Sequence, residues 1–176
     1  MQVSAFALTL FSLVPTLLVS AHTLDRKMPA NNHHGKTTTP KFFSYEGFGE
    51  TQRQNLWYSQ AARVGDKIEI SGQGGWDPET GILKEDPLEE VDQAFANVDL
   101  TLRDAGGEGW SQVYKVVIYA LEPQFVDEAF LGRIIENFKK WMPDHQPLLT
   151  AVGVAKLGAG IVSHMKIEVE VVAYDP

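Results

Sequence analysis

Two amphipathic segments set between β-branched stretches constrain this chain more than any other feature. In EDPLEEVDQAFANVDLTLRDAGGEG, Leu88, Val91, Phe95, Val98, Leu102 and Ala105 recur every three or four residues and build one apolar stripe. Asp86 is placed to cap this helix, Pro87 suits its first position, Glu89 completes a capping box, and Gly106-Gly107 ends it. A second helix is predicted in VDEAFLGRIIENFKKWMP. Asp127 caps it, Phe130, Ile134, Phe138 and Trp141 form its stripe, and Pro143 follows its end.

The stretches around these helices read as strands. LWYSQAARVGDKIEISGQ gives two short ones, with Tyr58 in the first, joined by a turn at Val64-Gly65-Asp66. SQVYKVVIYAL is β-branched and aromatic. PLLTAVGVAKL and HMKIEVEVVAY supply two more. The order ββ-α-β-α-ββ forces crossovers, which are right-handed and place both helices on one face of the sheet. The other face has no cover of its own. In the last strand, Met165, Ile167, Val169 and Val171 point toward the helices. Lys166, Glu168, Glu170 and Val172 point away. Such a mixed face is too apolar for open water and too polar for a core, and it suits a subunit interface with sites between chains.

Charge and composition narrow the function. The net charge of −8 comes without a basic stripe, which disfavours a nucleic-acid partner. Cysteine is absent, removing disulfides, thiol catalysis and Cys-based zinc sites. No GxSxG, HExxH or DxDxDG pattern occurs, so neither metal nor cofactor is expected. Residues 1–21 are apolar and end in Val19-Ser20-Ala21, a small-residue cleavage site, and read as a secretory signal or apolar N-terminal segment. Cleavage would give a secreted mature chain with no membrane anchor; the alternative is a cytoplasmic protein. Residues 22–52 read as a polar, partly disordered extension whose FFSYEGFGE aromatics can pack on the domain, and 53–176 as the folded domain.

Several residues carry candidate chemistry. Glu168 and Glu170 share a strand face about 7 Å apart. They are either a solvated surface pair softened by Lys166 or, if one is buried, a proton-transfer group with a raised pKa. Tyr58 and Thr150 offer hydroxyls. Trp76 follows Gly74-Gly75 and is either core or the wall of a ligand cleft. His145, in PDHQP, is either an acid–base group or part of a turn.

YSQAARVGDKIEISGQGGWDPETG, QAFANVDLTLRDAGG, QVYKVVIY and PLLTAVGVAKL…MKIEVEVVA together resemble the RidA/YjgF family over Tyr58 to Ala173. The resemblance implies a chorismate-mutase-like α+β fold, a mixed sheet of about six strands with two helices on one face. It implies a homotrimer with a barrel-like core and clefts between subunits. It also implies cofactor-independent hydrolysis of imines or enamines to a carbonyl compound and ammonia. By the same resemblance Glu168 positions water, Tyr58 lines the cleft, and Ser71, Gly72 and Gln73 form the adjoining turn beside Trp76. The family arginine that grips a substrate carboxylate falls on Leu149, in Pro147-Leu148-Leu149-Thr150. A leucine cannot bind a carboxylate, so a bulkier, more apolar substrate is expected, acted on by hydrolysis, tautomerisation or dehydration. Glu168, Tyr58 and Thr150 are the expected catalytic residues. Ser71, Gly72, Gln73, Trp76, Leu149 and His145 are the expected substrate contacts. A trimeric protein that binds small molecules without turning them over is the alternative, and an endoribonuclease the third reading.

Overall fold

The computed structural model describes residues 39–158 and 160–176. The apolar segment 1–21 and residues 22–38 of the extension lie outside them. The elements are β1 (Lys41–Phe43), α1 (Phe48–Leu56), β2 (Ala61–Val64), β3 (Lys67–Ile70), β4 (Gln73–Gly74) and α2 (Pro87–Asp104). After them come β5 (Val113–Leu121), the short α3 (Glu122–Phe125), α4 (Glu128–Trp141), β6 (Leu148–Val154) and β7 (Ile167–Tyr174).

The seven strands form one open sheet in the order β1-β2-β3-β7-β5-β6, with β4 also paired to β7. All pairs are antiparallel except β5 with β6. That pair is joined through α3 and α4, and a parallel pair needs such a crossover. The α+β class and one-sided helix layer are as expected. The sheet has two strands more than the five read from the sequence pattern and one more than the six the resemblance implies, and within one chain it does not close.

Helix α2 forms as the periodicity dictates. Val91, Phe95, Val98 and Leu102 are fully buried. Asp86 accepts from the Leu88 and Glu89 amides, which fixes the helix start. Only this half of the capping box forms among the side-chain bonds that cap the helix. Asp127 caps α4 by accepting from the Phe130 amide at 2.7 Å. Trp110 stacks on Phe95 with ring centroids 4.8 Å apart, and its indole donates to the Phe95 carbonyl. The α2 and α4 stripes bury Val116, Ile118, Val169 and Val171 of the sheet, so this face is the core.

Three expectations change. Part of the presumed extension is structured: β1 pairs with β2 and α1 follows it. Buried Tyr45 and Phe48 anchor this segment; the body of α1 between Phe48 and Leu56 is polar, so no periodic apolar signal announced it. Leu56 ends α1 and Tyr58 sits in the connection to β2, not in a strand. Lys166 does not lie beside Glu168 on the open face. It precedes β7, and its ammonium meets Glu90 of α2 at 2.8 Å.

Glu90 is fully buried, and its carboxylate also accepts from the Lys166 and Ile167 amides. It therefore ties the start of β7 to α2, satisfying two backbone donors that no other strand reaches. Glu90→Ala is expected to cost about 3 kcal/mol in urea unfolding at fixed protein concentration, because it strands those donors and leaves a cavity. A loss below about 1 kcal/mol would show that the carboxylate does not hold this junction.

Candidate active site

The open sheet face carries a groove of about 1010 Å³. Phe42 of β1, Ser71, Gly72 and Glu170 form its floor. Arg53 and Trp57 from the end of α1, and Tyr58 just beyond, line it as well. The floor arises from a break in pairing. β3 pairs with the end of β7 and β4 with Glu168 and Val169, while Ser71 and Gly72 between them make no ladder contact. The Ser71 hydroxyl instead donates to the Ser59 carbonyl at 2.8 Å, tying the break to the segment that carries Tyr58.

Glu168 fits into this break. A Cβ on Gly72 would lie 1.9 Å from its Oε1, so the carboxyl occupies the space that the missing side chain leaves. Burial pushes its pKa above the ordinary carboxylate range, and the neighbouring Glu170 pushes it further. The Tyr58 phenol is raised by burial, partly offset by a hydrogen bond from Gln60, and raised again by the charge of Glu168. The charge of Glu168 is thus felt at Tyr58.

Behind Tyr58 runs a chain of buried polar side chains. The Trp76 indole N–H donates to the Tyr45 hydroxyl at 2.9 Å, and that hydroxyl donates to Gln73 Oε1 at 3.5 Å. Gln73 Nε2 donates to Gln60 Oε1 at 2.8 Å, and Gln60 Nε2 donates to the Tyr58 hydroxyl at 3.2 Å. Gln60 and Gln73 have no exposure to solvent. An indole N–H can only donate, so Trp76 fixes the direction of every bond after it. The chain ends by occupying an acceptor site on Tyr58 and leaves the Tyr58 proton free to face the groove. Burial pushes the Tyr45 pKa to about 12, so this link stays protonated.

Of the residues singled out from sequence, Tyr58, Ser71 and Gly72 line this groove, and Glu168 lies directly against Gly72. Gln73 lies beneath them as a support and does not reach the groove. Trp76 does not wall the cleft. It is 3% exposed and packs edge-on against Phe48 with Met165 nearby. The adjoining glycines serve packing: Gly74 lies under the indole itself, and Gly75 abuts the Glu90 backbone.

Thr150 shares the open face but lies two strands away, paired through Val117 to Glu170. Leu149 pairs with buried Val116 and, with His145, lines a second depression of about 670 Å³ beside α4. His145 donates from Nε2 to the Val113 carbonyl at 2.7 Å, a structural tie at the β5 irregularity. Within one chain, then, Leu149 and His145 are separate from the Glu168 site. The sequence reading missed Tyr45, Gln60 and Glu90, whose roles depend on partners distant in sequence, and Arg53 and Trp57, which lie in the unrecognised α1. No groups of three or more potential metal ligands occur among the described residues.

This architecture is an α+β domain in which the sheet face opposite α2 and α4 carries a groove, with a desolvated glutamate against the glycine in its lining. A family model described as Endoribonuclease L-PSP matches residues 52–175. A RutC family protein of Aquifex aeolicus is 38% identical over 116 residues, covering 66% of this chain and 86% of the relative. The human 2-iminobutanoate/2-iminopropanoate deaminase is 34% identical over 117 residues, covering 66% and 78%. The crystal structure of RidA from an Antarctic Psychrobacter superposes with a TM-score of 0.57 at 32% identity, covering 66% of this chain and 87% of that one. The chain belongs to the RidA/YjgF family.

The raised Glu168 pKa has a definite sign for stability. Its contribution is complete below its unfolded value of about 4.5 and is lost as pH rises through the folded value. Glu168→Gln is expected to remove this decline, so that the difference in melting temperature shifts in favour of the variant as pH rises from 4 to 8. Gly72→Ala should likewise flatten the decline, because the added methyl expels the carboxyl toward water. Melting curves of parent and both variants that run parallel over this range contradict the burial of Glu168.

Proposed function

We propose that the groove is the active site of a cofactor-independent enzyme that hydrolyses imines or enamines of small molecules to a carbonyl compound and ammonia. The observation that carries this reading is Glu168, held with a raised pKa against Gly72 of the groove lining and close enough for its charge to act on Tyr58. Relatives named 2-iminobutanoate/2-iminopropanoate deaminases, at 32–34% identity in mouse and human, support it.

The chemistry follows from the two groups. Protonation of an enamine at carbon, or of an imine at nitrogen, gives the same iminium ion, whose carbon is electrophilic. Glu168 as carboxylate accepts a proton from water while the water oxygen bonds to that carbon. That proton then passes from Glu168 to nitrogen, the hydroxyl proton returns to the Glu168 carboxylate, and ammonia leaves as the C–N bond breaks and the C=O bond forms. Tyr58, whose proton the buried chain leaves free, donates a hydrogen bond to the reacting oxygen or nitrogen. A carboxyl with a raised pKa suits both halves of this exchange near neutral pH.

The homotrimer belongs to this proposal. Leu148 and Leu149 on edge strand β6 are 69% and 52% exposed, an apolar edge that a second subunit would cover. Such an assembly would bring Thr150, Leu149 and His145 of one subunit toward the Glu168 groove of another. With Leu149 in that position, the substrate is bulkier and more apolar than a small imino acid.

The competing reading, a trimer that binds but does not turn over its ligand, rests on Leu149. The acidic net charge of −8 weighs against RNA as substrate. Imines generated in situ from a panel of amino acids by an amino-acid oxidase, with ammonia release followed, test the proposal. Glu168→Gln is expected to lower turnover at least a hundredfold and Tyr58→Phe about tenfold. Unchanged turnover in Glu168→Gln removes this carboxyl from the mechanism, and binding without turnover across the panel favours the binding protein.

A further inference from the structure

Trp57 is the most exposed large apolar side chain among the described residues, at 92%. It is also the one described non-glycine residue with positive φ, at φ 59° and ψ 40°, capping the C-terminus of α1. That cap position ordinarily goes to glycine or asparagine, since a Cβ is strained there. The indole makes no aromatic pair with another described residue. The chain therefore spends backbone strain and leaves an indole in water, with no packing return inside the subunit. The left-handed residue does turn the chain so that Arg53, Trp57 and Tyr58 all line one groove.

Arg53 is the one cation among the residues lining that groove, where the other charges are Glu69 and Glu170. No salt bridge joins it to a described side chain. It stands one helical turn before Trp57, a rise of about 6 Å. A guanidinium can hold a carboxylate through two parallel N–H bonds, and an indole offers a flat apolar surface to a ring. Phe42, itself 67% exposed, lies in the same groove.

We propose that α1 furnishes the groove with a subsite for aryl-alkanoates: Arg53 takes the carboxylate and Trp57 stacks on the ring. The spacing suits acids in which two or three bonds separate ring and carboxylate. The groove end at Gly72 and Glu170, with Glu168 directly against Gly72, is left to the cationic or proton-accepting part of the ligand. This deepens the proposed function and rests on its claim that the groove is the ligand site.

Calorimetric titration and tryptophan fluorescence of the full assembly with 3-phenylpropanoate, 3-phenylpropanamide and butanoate test it. The aryl acid should bind at least tenfold more tightly than either control and should change an emission component that Trp57→Leu abolishes. Arg53→Gln should weaken the aryl acid at least tenfold and leave the amide unchanged, and Trp57→Leu should weaken both aryl compounds. Added salt should weaken the acid in the parent but not in Arg53→Gln. Equal binding of butanoate and 3-phenylpropanoate overturns the subsite, as does undiminished acid binding by Arg53→Gln. A Trp57 emission that is already that of a buried indole and insensitive to the acid also overturns it, pointing to a second copy of the chain over this face. The two proposals fail separately. Imine turnover with the same KM for aryl and alkyl imino acids in parent, Arg53→Gln and Trp57→Leu sinks the subsite alone. The expected binding pattern without imine hydrolysis leaves the subsite standing and sinks the catalytic reading.

Discussion

A carboxyl group wedged against a glycine, with no cation of its own, is the constraint on which the rest of this site depends. Glu168 sits where β3 and β4 fail to form a continuous ladder with β7, and Gly72 leaves the only room for its oxygen. Taking a carboxylate out of water is unfavourable unless it is paired. Here the charge that acts on it is Glu170, of the same sign, which adds to the effect of burial. Lys166, two residues earlier, is bound to Glu90 of α2 instead. The two acidic residues of this region thus have opposite fates. Glu90 is paired with Lys166 and structural, and Glu168 is left to accept a proton.

The surroundings of Glu168 are correspondingly rigid. Tyr58 lies in a connection without regular structure, which alone would leave its hydroxyl free to rotate. The chain from Trp76 through Tyr45, Gln73 and Gln60 replaces that freedom with a fixed polarity, because its first member can only donate. The same chain binds β1, the α1 segment and β4 together around one buried polar line. Fold and site therefore share residues, and a defect in the line would be felt in both.

What could be read from sequence was what periodicity controls. The stripes of α2 and α4, the hairpin of β2 and β3 across Gly65-Asp66, and the alternation of β7 all follow from local pattern, and the structure shows them. The family followed from motifs along the same stretches. Helix α1 was not legible, since GETQRQN has no apolar stripe and its burial rests on Phe48 meeting Trp76. Trp76 itself was misread because a glycine pair before an aromatic looks like a ligand loop. Its true setting depends on Tyr45, thirty-one residues earlier. The sides taken by Lys166 and Leu149 likewise depend on where β7 starts and on the parallel register of β6, neither of which a single-strand pattern reveals.

The most direct test of this account is the titration of the Glu168 side-chain carboxyl itself, followed by carbon-13 NMR in the intact protein with Glu168→Gln used to assign the signal. A midpoint clearly above the ordinary carboxylate value of about 4.5 is predicted. A midpoint at or below that value would mean that water or a cation reaches the group, and the groove would lose the residue on which its chemistry rests.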